Sequence, residues 1–418
     1  MKGGIRGFLL AALVVMAGCG QEEVSRPADS PTNVIVAYYQ TDEAIEEAPI
    51  ALNGERIDRE WGSEFTPDRP FTHVRLSADE GAGNPGSTRY ISVKAVYTSR
   101  HLYLLLQWVD EDASNLKDIF VYTGPPLNER LGPQDSLVTP AWWERAGEDD
   151  KVALIFEMEP TAGDGLTFAD NGCQALCHPG SAPAFGTSDS GRLDVWYWLA
   201  GRTNPVRNLF FLSDSDPNDP EHGDPGYLDD WYATPLAGLN ADPGWPCYLR
   251  NDAAGQGYPE YVYRRRDDDF YDPPNPLSCE NRFGADCVAN NAVPFIYLWR
   301  EYPNDYFAAF SAVDTLNQAI FPDAREWYPG DIAPGYMLTY PSDSRAHVRG
   351  KALHDEDLVT WTLEIGRRLD TGDPEHDVIF EPEPGREYPF TIAVFDASAG
   401  DHWGSEPQVL VFGERGDD

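Results

Sequence analysis

The hydrophobic pattern of this chain is that of short strands. Apolar and β-branched residues alternate with polar ones over runs of five to nine positions, and Pro, Gly, Asn and Asp interrupt them. Residues 91–97 and 101–109, separated by the turn-forming Thr98-Ser99-Arg100, predict a hairpin. Residues 151–158 and 295–299 predict two further strands. The run Val359-Thr360-Trp361-Thr362-Leu363-Glu364-Ile365 alternates as a half-buried strand should. Residues 389–395 and 408–412 predict the last two. No long amphipathic run of period 3.6 occurs. With 35 Pro and 37 Gly to punctuate the strands, the pattern predicts an all-β sandwich with long ordered loops.

The first residues belong to targeting. Lys2 and Arg6 precede an apolar run, residues 8–15, that is too short to span a bilayer. It ends in Met16-Ala17-Gly18-Cys19, which reads as a lipobox, so residues 1–18 are a signal peptide and Cys19 is the lipidated residue. An ordinary cleaved signal with a coincidental cysteine is the plainer alternative. Gly20 follows, with no Asp to retain the protein at an inner membrane, which favours an outer-membrane anchor facing the periplasm or the cell surface. Residues 19–33 form a polar tether, and residues 34–415 form the domain. A stretch at about 214–331, rich in Pro, Gly, Asp and Tyr and poor in alternation, reads as an insertion on the sandwich. No other segment is apolar enough to span, so contact with the membrane is expected through the lipid alone.

The charge removes some partners. Asp and Glu number 70 against 31 Lys and Arg, a formal net charge of −39, which argues against nucleic acid or an anionic membrane surface. It suits a periplasmic or surface protein that meets cationic proteins or metal ions, or a protein adapted to salt.

The sharpest chemical signal is Cys173-Gln174-Ala175-Leu176-Cys177-His178. Two thiols can add to the vinyl groups of a haem, and an adjacent imidazole can then turn onto the iron as proximal ligand. Three residues separate the cysteines where two are usual, a spacing that still lets both sulfurs and the imidazole reach one porphyrin edge. The bland alternative is a small disulfide loop in an oxidising compartment. Of the 6 cysteines, Cys247, Cys279 and Cys287 remain, an odd number whose pairing the sequence does not choose. Opposite His178, the candidates for a distal ligand are Met337 first, then Met158, His222 and Lys351, with Tyr197 or an open position as alternatives.

A second candidate site is Asp214-Ser215-Asp216-Pro217-Asn218-Asp219, followed by Glu221, Asp224 and Asp229-Asp230. Oxygens of Asp214, Asp216 and Asn218 at alternate positions could converge on calcium, although the Gly of an EF-hand loop is missing. A solvated acidic turn is the alternative. The aromatics Trp142, Trp143, Trp196, Tyr197 and Trp198 could wall a haem, stack on sugar rings or pack a core. No nucleophile–base order, metalloprotease helix or phosphate loop stands out, so catalysis by the chain itself is not expected.

Several segments, taken in order, resemble one family. They are Ala51-Leu52-Asn53-Gly54 with Glu60-Trp61; the hairpin Val93-Lys94-Ala95-Val96-Tyr97 and Leu102 to Trp108; Gly172 to His178; Asp194-Val195-Trp196-Tyr197-Trp198; Arg202-Thr203-Asn204-Pro205; Pro334-Gly335-Tyr336; Val348-Arg349-Gly350-Lys351; Arg368-Leu369-Asp370-Thr371-Gly372-Asp373; and Val394-Phe395-Asp396. Together they resemble the haem-binding domain shared by the gamma subunits of ethylbenzene and dimethyl sulfide dehydrogenases and by related c-type cytochromes. The resemblance implies a β-sandwich similar to family-nine carbohydrate-binding modules and DOMON domains. It also implies haem c held covalently and electron exchange with a redox partner protein, such as the catalytic subunit of an oxidoreductase. In the gamma subunits a Met and a Lys hold a b-type haem; here Ile155 stands on the strand where that Met is placed, and Ser405-Glu406 near the expected Lys. Where many c-haem relatives carry a His between the two Trp, this chain has Tyr197. The expected function is a lipid-anchored c-type cytochrome. The alternative is a haem-free, surface-anchored carbohydrate-binding module on the same fold, with Cys173–Cys177 as a disulfide and calcium in the acidic loops.

Overall fold

The computed structural model describes residues 33–40, 70–78, 87–125, 139–163, 166–172, 190–204, 226–234, 238–252, 255–259, 261–265, 307–311, 332–333, 335–338, 341–383 and 385–414, together with Leu52, Gly54, Trp61 and Pro329. In chain order its first strands are β1 (Val34–Tyr39), β2 (Thr72–Ala78), β3 (Thr88–Tyr97), β4 (His101–Val109), β5 (Ile119–Tyr122) and β6 (Trp143–Ala146). The long β7 (Lys151–Gly163) and short β8 (Leu166–Thr167) lead into a one-turn helix, α1 (Phe168–Asn171), and then β9 (Ser190–Leu199). The middle of the chain supplies β10 (Gly226–Tyr227), β11 (Asp229–Thr234), β12 (Gly238–Ala241), β13 (Tyr248–Arg250), β14 (Tyr261–Arg265), β15 (Phe307–Ser311), β16 (Ile332–Ala333) and β17 (Tyr336–Leu338). It closes with β18 (Val348–Asp355), β19 (Thr360–Arg368), β20 (Glu387–Phe395), β21 (Trp403–Ser405) and β22 (Gln408–Phe412). Among the described residues no helix is long and apolar enough to cross a membrane.

One large sheet runs β10-β18-β19-β4-β3-β1-β22-β20-β7-β9-β11-β12. It folds over on itself. Strand β1 is one link between its halves, pairing in parallel with β3 on one side and β22 on the other, and the antiparallel pair β2–β21 is a second, between β3 and β20. On β9, Trp198 packs edge-on against Trp361 of β19 at 5.1 Å and Trp108 of β4 at 5.7 Å, although these strands lie far apart along the sheet. The fold is thus an all-β sandwich. Its core interleaves Leu104, Leu106, Leu363 and Ile365 of one layer with Leu154, Phe156, Trp196 and Ile392 of the other. Burying each such aliphatic or Phe side chain stabilises the fold by about 1.5–3 kcal/mol.

The predicted hairpin is present as β3 and β4. Thr98 closes its turn: the Thr98 amide donates to the His101 carbonyl at 2.9 Å, and the Thr98 hydroxyl accepts from the amides of Arg100 and His101. The strand read as half-buried, β19, is covered on both sides. Trp361, Leu363 and Ile365 face the core, while Thr362 and Glu364 on the other face are also buried. Leu52 and Trp61 explain this, because they pack with Val96 and Leu105 on the outside of that layer. Glu364 accepts from the Gly54 amide at 2.7 Å and from the Trp61 indole, so the polar side chain is satisfied rather than solvated. Gly54 sits at φ 80°, and a Cβ there would lie 2.7 Å from the Leu353 amide nitrogen, so the residue has to be glycine. Inside the stretch read as an insertion, β10, β11 and β12 belong to the main sheet. The strand read at residues 295–299 lies outside the described residues.

Candidate functional site

The approach to the Cys173–His178 element is built with care. Strand β7 loses register against β9 between Glu157 and Glu159, and again between Glu159 and Ala162, as at β-bulges, and pairs onward to Ser190. The chain returns through β8, and the Thr167 hydroxyl caps α1 by accepting from the Asp170 amide at 3.3 Å. Phe168 is driven fully under the turn, and Gly172 ends it at φ 58°, its amide donating to the Phe168 carbonyl. Gly172 is pressed against β20: any Cβ would overlap Cγ2 of Thr391. Cys173, Cys177 and His178 themselves lie outside the described residues, as do Cys19, Asp214, Asp216, Asn218, His222, Cys279 and Cys287.

The surface onto which Gly172 delivers the chain is the outer face of the sandwich. Residues Ile155, Phe168, Leu193, Val195 and Ala233 form a separate apolar cluster there, with half-buried Tyr197, Trp231 and Leu239 against it. Thr391 stands beside Ile155 in register, is 1% exposed, and its hydroxyl has no hydrogen-bond partner. The cluster is buried, its members 8% exposed or less, and the two thiols and the imidazole follow Gly172 in sequence. The donor set of a b-type site does not fit. Ile155 has no ligating atom, and the Ser405 hydroxyl is already engaged by the Ile392 amide at 2.9 Å.

The alternation of β9 sorts the Asp-x-Trp-x-Trp segment. Trp196 and Trp198 point into the core, the packing role among the three open to them, whereas Tyr197 and Val195 join the outer cluster. Tyr197, at the position where c-haem relatives carry His, is therefore on the same face as the Gly172 seat. Met158 packs at the margin of the inner core instead. Met337 pairs with Leu249 in a two-stranded ribbon whose Tyr336 hydroxyl donates to Asp118 at 3.0 Å, near the start of β7. Lys351 is buried on β18, in register with Glu364. Cys247 is a buried free thiol, with burial pushing its pKa up.

The structure also assembles two carboxylate clusters that no sequence motif announces. Asp110, Asp150 and Asp396 meet where β4 and β20 end and β7 begins. Their oxygens are largely engaged. Asp150 accepts from the amides of Ser114 (2.8 Å) and Ala397 (2.9 Å) and from the Trp361 indole (3.1 Å), and Arg89 pairs with Asp396 at 2.5 Å. Burial, then the neighbouring Asp110, pushes Asp150 up to about 7; burial, then Asp396, pushes Asp110 to about 6. The second cluster, Asp194, Asp230 and Asp377, lies between the layers and is fully buried. Arg367 donates to Asp194 at 2.9 Å and His347 lies 2.7 Å from Asp377. Burial, more than any neighbour, pushes Asp194 up to about 7 against the opposing pull of Arg367. Asp230 was visible in the sequence as one of an acidic run, but the pairing of β11 with β9 is what joins it to Asp194.

No curated protein matches the chain. A solved structure from Bacteroides uniformis ATCC 8492, described as carbohydrate-binding, aligns over 91% of this chain and 99% of its own with 8% identity, but its TM-score of 0.32 is too low to bear on fold or ligand. The family model described as Ethylbenzene dehydrogenase matches residues 70–237 and 289–406, two segments that span β2 to β11 and the C-terminal strands through β21. The chain belongs to the ethylbenzene dehydrogenase family.

Proposed function

We propose that this protein is a lipid-anchored c-type cytochrome that relays electrons in the periplasm or at the outer membrane, as the non-catalytic partner of an oxidoreductase. Cys173 and Cys177 would attach the porphyrin and His178 would bind its iron. When bound, haem supplies a reversible one-electron couple. The observation that carries the reading is the seat of Gly172: it fixes the residue before Cys173 on Thr391, at the edge of the apolar outer face. There Ile155, Val195 and Phe168 exclude water, and a low-dielectric wall of this kind sets how strongly a change of iron charge is felt. Tyr197 packs against the same apolar face. Cys19 would hold the domain at the membrane through residues 19–33, and the surplus of acidic side chains would orient a basic patch on the redox partner.

The test is a reduced pyridine haemochrome spectrum of protein matured in a host with c-type haem machinery. Haem that stays with the denatured polypeptide, and is lost when Cys173 and Cys177 are both changed to Ser, is the expected result. A folded but colourless protein from that host would overturn the proposal.

A further inference from the structure

The buried cluster around Asp194 is out of electrostatic balance. Asp194 projects inward from β9 and Asp230 from β11, and Asp377 comes from the loop after β19. Asp242 follows β12, its amide bonded to the Asp230 carbonyl at 3.1 Å. All four are 3% exposed or less. Facing them are Arg367, which binds Asp194 at 2.9 Å and stands 3.8 Å from Asp377, and His347 on Asp377. The other charged groups nearby are spoken for, Arg345 by Asp229 and His376 by Asp373. Four carboxylates with one guanidinium in a dry interior is an arrangement that costs far more than it returns unless something neutralises it.

The hydrogen bonds show where that something would sit. Asp194 uses Oδ2 for Arg367 and the Val378 amide, and leaves Oδ1 unpartnered. Asp377 uses Oδ2 for His347 and leaves Oδ1; Asp242 uses Oδ2 for the Ser344 hydroxyl and leaves Oδ1. Asp230, 0% exposed, has no partner on either oxygen. Oxygens of Asp194, Asp230 and Asp377 lie within 4.8 Å of one another. Ligands on opposite sides of one calcium ion stand about 4.6–5.2 Å apart, given calcium–oxygen distances of about 2.3–2.6 Å. The set is all oxygen, with the charge and the surplus of free lone pairs that a hard cation of high coordination number takes.

We propose that Asp194, Asp230 and Asp377, with Asp242 beside them, bind a single calcium ion between the two layers. The ion ties β9, β11 and the 369–380 loop together, on the inner side of the same strands whose outer side carries the apolar face. The proposal does not depend on haem.

The experiment is calcium binding by the full chain after exhaustive chelation, read as metal content after re-equilibration with calcium chloride and as a change in unfolding temperature. The expected result is about one tightly held calcium per chain, a lower unfolding temperature after chelation that calcium restores, and at least tenfold weaker binding in Asp230→Asn. If that variant does not fold, Asp242→Asn is read in its place, and terbium luminescence sensitised by Trp196 reports the wild-type site directly. A chelated protein that neither takes up calcium nor changes its unfolding temperature would overturn the proposal. So would calcium that Asp230→Asn retains in full and that a paired Asp214→Ala, Asp216→Ala variant loses.

Discussion

Asp150 makes stability depend on pH in a direction opposite to that of an ordinary surface carboxylate. In the folded chain its carboxyl is pushed from 3.8 up to about 7, first by burial and then by Asp110, against the pull of the Ala397 and Ser114 amides and the Trp361 indole. Because the folded-state value is the higher one, folding takes up a proton. The stability it contributes is fully present below about pH 4 and is lost as pH rises through 7. A rise from 3.8 to about 7 corresponds to about 4 kcal/mol. Asp150→Asn removes the titration. Its amide can keep one oxygen for the two donors on Oδ2, but turns an NH₂ toward the Ala397 amide, a mismatch that costs about 1–3 kcal/mol. The variant should therefore be less stable than wild type near pH 5, and the gap should close and reverse by pH 8. Urea unfolding of both proteins, followed by tryptophan fluorescence across that range at fixed calcium, gives the difference directly and cancels the carboxylates outside the Asp110–Asp150–Asp396 cluster. A gap that stays constant, or widens toward pH 8, would refute the reasoning, since it would mean that the native carboxylate is ionised throughout.

Two further outcomes follow from single contacts. Arg367→Met leaves Asp194 without its guanidinium in a fully buried setting, and should cost about 3–5 kcal/mol in chemical denaturation of the metal-free protein; a loss below 1 kcal/mol would show that Asp194 is protonated there. Gly172→Ala should lower the haem retained per polypeptide, because its methyl strikes Cγ2 of Thr391 and lifts the chain just before Cys173. A second change, Thr391→Ser, removes the struck methyl and should restore part of the haem content, the strain of a non-glycine residue at φ 58° remaining; haem yield indifferent to both would separate the seat from attachment.

What the chain determines by itself is local. Alternation and a Thr-Ser-Arg turn placed β3 and β4 correctly, and β22 matched its predicted bounds residue for residue, since period-two patterns report which side of a strand meets apolar neighbours. The ordered family segments led to the right family because several of them recur in one order along the chain, although no single one is decisive. The two-sided burial of β19 was not legible, because its outer cover comes from Leu52 and Trp61, some 300 residues upstream along a chain whose alternation looks the same with or without that cover. Neither was the meeting of Asp194, Asp230 and Asp377. Acidic residues are so abundant here that none is marked by its neighbours in sequence, and only the folding of one sheet onto itself brings these three into a dry space that a single cation could fill.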